Sequence, residues 1–141
     1  MLDNPERIFR EEMRHCRLYR DEHECYAKLD EGKWGLGWTP IRSGVQRTTL
    51  ALEIDEQRKV CYLLSIAIPP ELRGKGYGAE LYQVTENVAR RWGCATVEMT
   101  ASGQTHKGES RIEYLRRRGY TLTTEITVRK ALHPSLIKVK S

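Results

Sequence analysis

Apolar and polar positions alternate along Val45–Ile54. Thr48, Leu50, Leu52 and Ile54 share one side, while Arg47, Thr49, Ala51 and Glu53 share the other. A period of two predicts a strand with one face buried. After a polar turn at Asp55–Arg58, Lys59–Ile68 is apolar on both sides, which predicts a central strand buried on both faces. The two runs read as an antiparallel hairpin. The period then changes. Tyr77, Leu81, Val84, Val88 and Trp92 recur every three or four residues and give an amphipathic helix stopped by Gly93. Cys94–Thr100 is a short strand, 101–107 a polar loop, and Glu109–Arg118 a second helix ended by Gly119. Tyr120–Lys130 is β-rich through its threonines, Ile126 and Val128.

The first third of the chain is less regular. Ile8, Met13, Leu18, Tyr19, Tyr26 and Leu29 fall at helical intervals, and Asn4-Pro5 makes a good helix start, so residues 4–31 read as one broken helix or two short ones. Residues 32–44, with four glycines, Pro40, Trp34 and Trp38, read as a loop with at most a short strand. The order helix, strand, strand, helix, strand, helix, strand predicts an α/β fold of the α+β kind, a central mixed sheet flanked by helices.

At 141 residues, the chain has room for one domain and one core. With 39% hydrophobic and 30% charged residues it is an ordinary globular composition. The longest apolar stretch, Val60–Pro70, is broken by Ser65 and far below the ~20 residues of a membrane span. Charged residues follow Met1 where a secretory leader would be apolar, so a cytoplasmic location is expected. The four cysteines (16, 25, 61 and 94) form no CxxC pair, and with His15 and His23 they match no zinc spacing, so no metal site is expected. A net charge of +5 points to an anionic partner. A nucleotide cofactor meets that as well as nucleic acid does. The chain has no RNP-like aromatic motif and no zinc-finger spacing, and Arg116–Arg118 is most simply a solvated helix face, so nucleic acid is not expected as a partner.

The chemistry concentrates in Ser65–Leu81, a buried strand that passes through a glycine-rich loop into a helix. A helix N-terminus offers unpaired N–H donors and the positive end of a dipole to an anion. Gly74, Gly76 and Gly78 let backbone approach a pyrophosphate without β-carbons, and Arg73 and Lys75 add charge. The spacing is neither GxxxxGK[ST] nor GxGxxG, so no P-loop or dinucleotide fingerprint applies. It closely resembles motif A of the GNAT family of N-acetyltransferases, Arg/Gln-x-x-Gly-x-Gly/Ala, with Arg73, Gly76 and Gly78 in the three fixed places.

The resemblance spans about residues 45–130 and implies a GNAT-like acyl-CoA N-acyltransferase domain over 1–141, with 1–44 on the acceptor side. It implies acetyl-CoA held by backbone at Ile66, Ala67 and Ile68 and at Arg73, Gly74, Lys75, Gly76, Tyr77, Gly78 and Ala79. It also implies that Ser65–Ile68 and Cys94–Thr100 diverge to admit the pantetheine, that a strand N–H near Ile68 stabilises the oxyanion, and that a primary amine attacks directly.

The second half departs from the family wording. Aligned on Gly119-Tyr120, Gly108 and Arg111 stand where asparagine and alanine are usual, and Leu115 where a tyrosine commonly protonates the departing thiolate. Tyr114 is one position earlier, ~100° around the helix, and is the candidate acid. Glu53 and Glu98 are candidate bases, and His106 lies in the loop before the last helix. Tyr19, Trp34 and Trp38 are candidates to line the acceptor pocket, with core packing the alternative for the tryptophans. A helix at Pro5, where relatives begin with a strand, leaves a sheet edge open and motivates a homodimer. The alternative function is a non-catalytic acyl-CoA-binding module of the same fold.

Overall fold

The computed structural model describes residues 5–17, 23–40, 49–68, 73–101, 105, 107–123 and 127–132. Helix α1 (Pro5–Met13) precedes strands β1 (His23–Asp30), β2 (Lys33–Pro40), β3 (Thr49–Asp55) and β4 (Val60–Ala67). Helix α2 (Tyr77–Trp92), β5 (Thr96–Thr100), α3 (Arg111–Arg117), β6 (Thr121–Leu122) and β7 (Thr127–Ala131) follow. One seven-stranded mixed sheet runs in the order β1-β2-β3-β4-β5-β7-β6, and only β4 and β5 are parallel. The mixed sheet, the β3–β4 hairpin and both later helices agree with the sequence reading.

Two expectations for the first third are corrected. Residues 23–30 are a strand rather than a helix, and 33–40 are a full strand rather than a loop. The pair is closed by a two-residue turn in which Glu31 (φ 51°) and Gly32 (φ 81°) are both left-handed, joining Asp30 opposite Lys33. That is the turn whose twist matches a hairpin. It carries glutamate where asparagine or aspartate is the usual signal. Tyr26 and Leu29 fit a helical interval, while Ala27 and Leu29 against Lys28 and Asp30 fit a strand, and pairing with β2 decides between them. In place of the expected sheet short of its usual edge strand, β1 and β2 of the same chain extend the sheet beyond β3.

The expectation that Lys59–Ile68 is buried on both faces is also corrected. Leu52 pairs with Leu63 but Ala51 pairs with Ser65, so Leu64 is an extra residue, a β-bulge. Cys61 and Leu63 point into the core, Leu64 is 60% exposed, and after the bulge Ile66 returns to the side of its partner Leu50. A continuous apolar run thus conceals a strand buried on one face, with its register shifted by one.

All three helices pack on one face of the sheet. Val84, Val88 and Leu81 of α2 meet Leu52, Ile54 and Cys61 in one core. Helix α1 inserts Phe9 and Met13, both fully buried, and its Glu11 and Glu12 accept from Arg91 of α2 at 2.8 and 3.1 Å. Helix α3 is capped by Ser110, whose Oγ accepts from the Glu113 N–H at 3.1 Å, and it buries Leu115. Beneath it, Glu86 of α2 is 2% exposed and accepts from the Tyr120 hydroxyl (3.0 Å), Arg118 (3.3 Å) and Lys130 (3.1 Å). On the other face, Gly35, Glu53, Tyr62, Glu98 and Arg129 form a row across paired strands, and no described helix covers it. No helix among the described residues is long and apolar enough to cross a membrane.

Candidate acyl-CoA site

The site begins where the ladder between β4 and β5 ends. Val60–Leu63 pair with Thr96–Met99, and no pairing to β5 follows. Ser65, Ile66 and Ala67 keep β3 partners on one side, so their outer edge is open among the described residues. The divergence therefore starts after Met99, later in β5 than the span Cys94–Thr100 implied. The bulge at Leu64 coincides with this point, and an extra residue bends and twists the strand that carries it. Backbone N–H and C=O groups on an open interior edge are free to bond an extended chain of another molecule.

Beyond Ile68 the chain reaches the glycine loop. Arg73 turns back, and its Nε donates to the Ile68 carbonyl at 2.9 Å, tying loop to strand end. Gly74 (φ 80°) and Gly76 (φ 87°) are both left-handed, a conformation costly for other residues. Gly76 is the N-cap of α2 and offers no side-chain acceptor, in contrast to Ser110 at α3. The first-turn donors of a sixteen-residue helix are thus left without a side-chain cap. A β-carbon on Gly78 would meet Ile68 Cδ1 at 3.6 Å, an ordinary van der Waals contact, so the start of α2 lies directly beside the strand end. Ile66, Ala67 and Ile68 at the strand end and Arg73, Gly74, Lys75, Gly76, Tyr77, Gly78 and Ala79 at the start of α2 are joined by the Arg73–Ile68 hydrogen bond.

One residue of this site escaped the sequence reading. Arg17 lies after α1, yet its guanidinium donates to the Lys75 carbonyl and to a Glu80 oxygen, while its backbone N–H donates to the other Glu80 oxygen at 2.8 Å. The guanidinium also stacks 4.6 Å from the Tyr77 ring centroid. Burial pushes the Glu80 carboxyl up, but the Arg17 backbone and side-chain hydrogen bonds outweigh it and the net shift is down. These partners lie about sixty positions from Arg17, so no local pattern announces them.

The acid and base candidates are distributed over both faces. Glu53 is half-buried on the helix-free face, between Gly35 and Tyr62. Glu98, on the same face, accepts from Arg129 Nε at 2.8 Å. The hydrogen bond to Tyr62 raises the Arg58 pKa. Tyr114 is half-buried on the helical face, its ring 5.8 Å from that of Tyr82, whose hydroxyl accepts from Arg111 at 3.2 Å. Leu115 is fully buried beside it. Trp34 packs at 6.1 Å on Trp92 and Trp38 is 2% exposed, so both tryptophans join the core. Tyr19 and His106 lie outside the described residues. Among the described residues no three metal-ligating side chains converge.

A mixed sheet whose bulged central strand opens beside a glycine loop and an uncapped helix defines the acyl-CoA N-acyltransferase fold class. The chain belongs to the GNAT acetyltransferase family, whose model matches residues 3–120. Among solved structures it is similar to nourseothricin acetyltransferase at 14% identity and TM-score 0.53, over 79% of this chain and 85% of that one. It is similar to an IAA acetyltransferase from Bacillus cereus at 16% identity and TM-score 0.56, over 70% and 78%. A PaiA N-acetyltransferase from Thermoplasma acidophilum, solved with coenzyme A, matches at 17% identity and TM-score 0.51, over 72% and 62%. No curated protein matches in sequence.

Proposed function

We propose that this protein transfers an acetyl group from acetyl-CoA to a primary amine, and that both ligands meet where β4 and β5 part. The observation that carries this reading is the coincidence of the bulge at Leu64 with the end of the β4–β5 ladder, followed after the glycine loop by the uncapped α2 N-terminus. Gly74–Ala79 would hold the phosphates through backbone N–H groups, with Arg73 and Lys75 supplying charge. Ser65–Ile68 would hold the extended arm by strand-like hydrogen bonds. Acetyl-CoA supplies an acyl group already activated as a thioester. The chain's own part is to fix that group against the amine, to direct a strand N–H near Ile68 at the developing oxyanion, and to exclude water. Glu53 is the proposed base and Tyr114 the proposed acid. Because they stand on opposite faces of the sheet, positioning carries most of the acceleration in this reading.

One observation favours a second reading, a module that binds acyl-CoA without transferring it. Leu115, in the place of the family's usual tyrosine, is wholly inside the core. The test is calorimetric titration with acetyl-CoA, free coenzyme A and ATP, followed by an acetylation assay on an amine panel. Micromolar acetyl-CoA binding, weaker for ATP, with release of free thiol on adding an amine, is expected for the enzyme. Binding without thiol release selects the module. Absence of binding refutes both.

A further inference from the structure

We propose that Arg17 is a positioning residue for the phosphates of coenzyme A and that it acts through Glu80, neutralising a carboxylate that would otherwise oppose an anion at the start of α2. The proposal rests on the acyl-CoA reading of this loop and adds a residue that neither the motif nor the family match singles out.

Glu80 lies in the first turn of α2. An acidic residue there is favourable for an isolated helix, because it meets the positive end of the dipole. For a helix end that must hold a pyrophosphate the same carboxylate is a liability, since it cancels the potential on which the phosphates depend. Arg17 answers both Glu80 oxygens at once, with its backbone N–H on one and its guanidinium on the other. Its net effect on the helix end is to return the charge that Glu80 removes.

The same guanidinium shapes the loop. It donates to the Lys75 carbonyl, and in a trans peptide the carbonyl and the following N–H point in opposite directions. Holding the Lys75 C=O therefore turns the Gly76 N–H away from Arg17. Stacking on Tyr77 fixes the guanidinium plane. A β-carbon on Gly76 would lie 3.1 Å from Arg17 Nη2, so the guanidinium is seated tightly against the glycine backbone and would have to ease back from any side chain there.

The test is a double-mutant cycle read by calorimetry with coenzyme A, with pantetheine as a probe that lacks the phosphates. Arg17→Ala is expected to weaken coenzyme A binding about tenfold. Raising the salt should shrink that loss, because it is electrostatic. Pantetheine affinity should not change. Glu80→Gln should bind coenzyme A no more weakly than the unchanged protein, and the Arg17→Ala/Glu80→Gln pair should recover most of the tenfold loss, the remainder being the lost hold on the Lys75 carbonyl. Arg17→Lys, which keeps the charge and loses the fork, should fall between. A double variant as weak as Arg17→Ala would overturn action through Glu80. Equal loss for coenzyme A and pantetheine would show only a structural role and overturn the proposal. If Arg17→Ala binds coenzyme A like the unchanged protein, the proposal alone falls. If the unchanged protein binds no coenzyme A, the cofactor reading falls and takes the proposal with it.

Discussion

Truncating Glu86 tests whether the helical face is held together by one buried carboxylate. Its side chain accepts from Tyr120, Arg118 and Lys130, and so joins α2 to the end of α3 and to β7. In Glu86→Ala the Tyr120 hydroxyl would stay buried without an acceptor, which costs about 1–3 kcal/mol. Removing one member of a buried ion pair costs about 3–5 kcal/mol in all. Arg118 and Lys130 are 20% and 21% exposed, so each can turn partly to water. That places the expected loss at the lower end, about 3 kcal/mol. For a domain of this size the melting temperature should fall by about 10 °C. Glu86→Gln keeps an acceptor for the tyrosine and loses only the charge, so it should fall about halfway. Urea unfolding of the three proteins measures the difference as a shift in midpoint at constant slope. A Glu86→Ala variant within about 1 kcal/mol of the parent would refute the reasoning, because it would mean that solvent already satisfies the two cations.

Gly76→Ala places a β-carbon at φ 87° and 3.1 Å from Arg17, and should cost about 1–2 kcal/mol of stability in urea unfolding together with coenzyme A affinity. Ser110→Ala removes the α3 cap and should cost about 1 kcal/mol, also read by urea unfolding, with α2 and its loop unaffected. Glu80 has its pKa lowered in the fold, so its contribution is present above the ordinary carboxylate pKa of 4.5 and is lost as pH falls through the lower folded value. The stability difference between the parent and Glu80→Gln, followed by urea unfolding across that range, should therefore vanish on acidification. Burial raises Cys94 to about 12 from an ordinary 9, with nearby Glu56 and Asp55 adding to it and Lys59 opposing. Its contribution is whole below pH 9 and lost as pH rises toward 12, so Cys94→Ala should flatten the alkaline limb of a thermal-melt series.

What the sequence discloses about this molecule depends on how far apart the interacting residues are. The turn at Gly74 and Gly76 into α2 is legible because the left-handed glycines and the helix they open are neighbours in the chain. Helix α2 is legible because Leu81, Val84 and Val88 face one side without help from elsewhere. Strand β1 is not, since Tyr26 and Leu29 satisfy a helical interval and only pairing with β2 resolves it. The bulge at Leu64 is hidden because an apolar residue that slips outward leaves an apolar run unbroken. Arg17 is invisible for the simplest reason: nothing beside it in sequence is its partner. Glu53 and Tyr114 are placed on their elements correctly by pattern alone, yet the pattern does not disclose that the sheet lies between them.

The register shift at Leu64 has a consequence for how this protein tolerates change. With the described helices all on one face, each strand should accept substitutions at every second position and reject them at the positions between. Along β4 that rhythm would begin with Cys61 and Leu63 as the intolerant sites and then slip by one, so that Ile66 becomes restrictive while Ser65 is free. Deleting Leu64 would bring the two halves of the strand back into phase. The deletion would lengthen the ladder, but it would close the opening between β4 and β5 that the proposed function needs. A scan of viability by position should thus show a break in periodicity at one residue whose own side chain contributes almost nothing to the core.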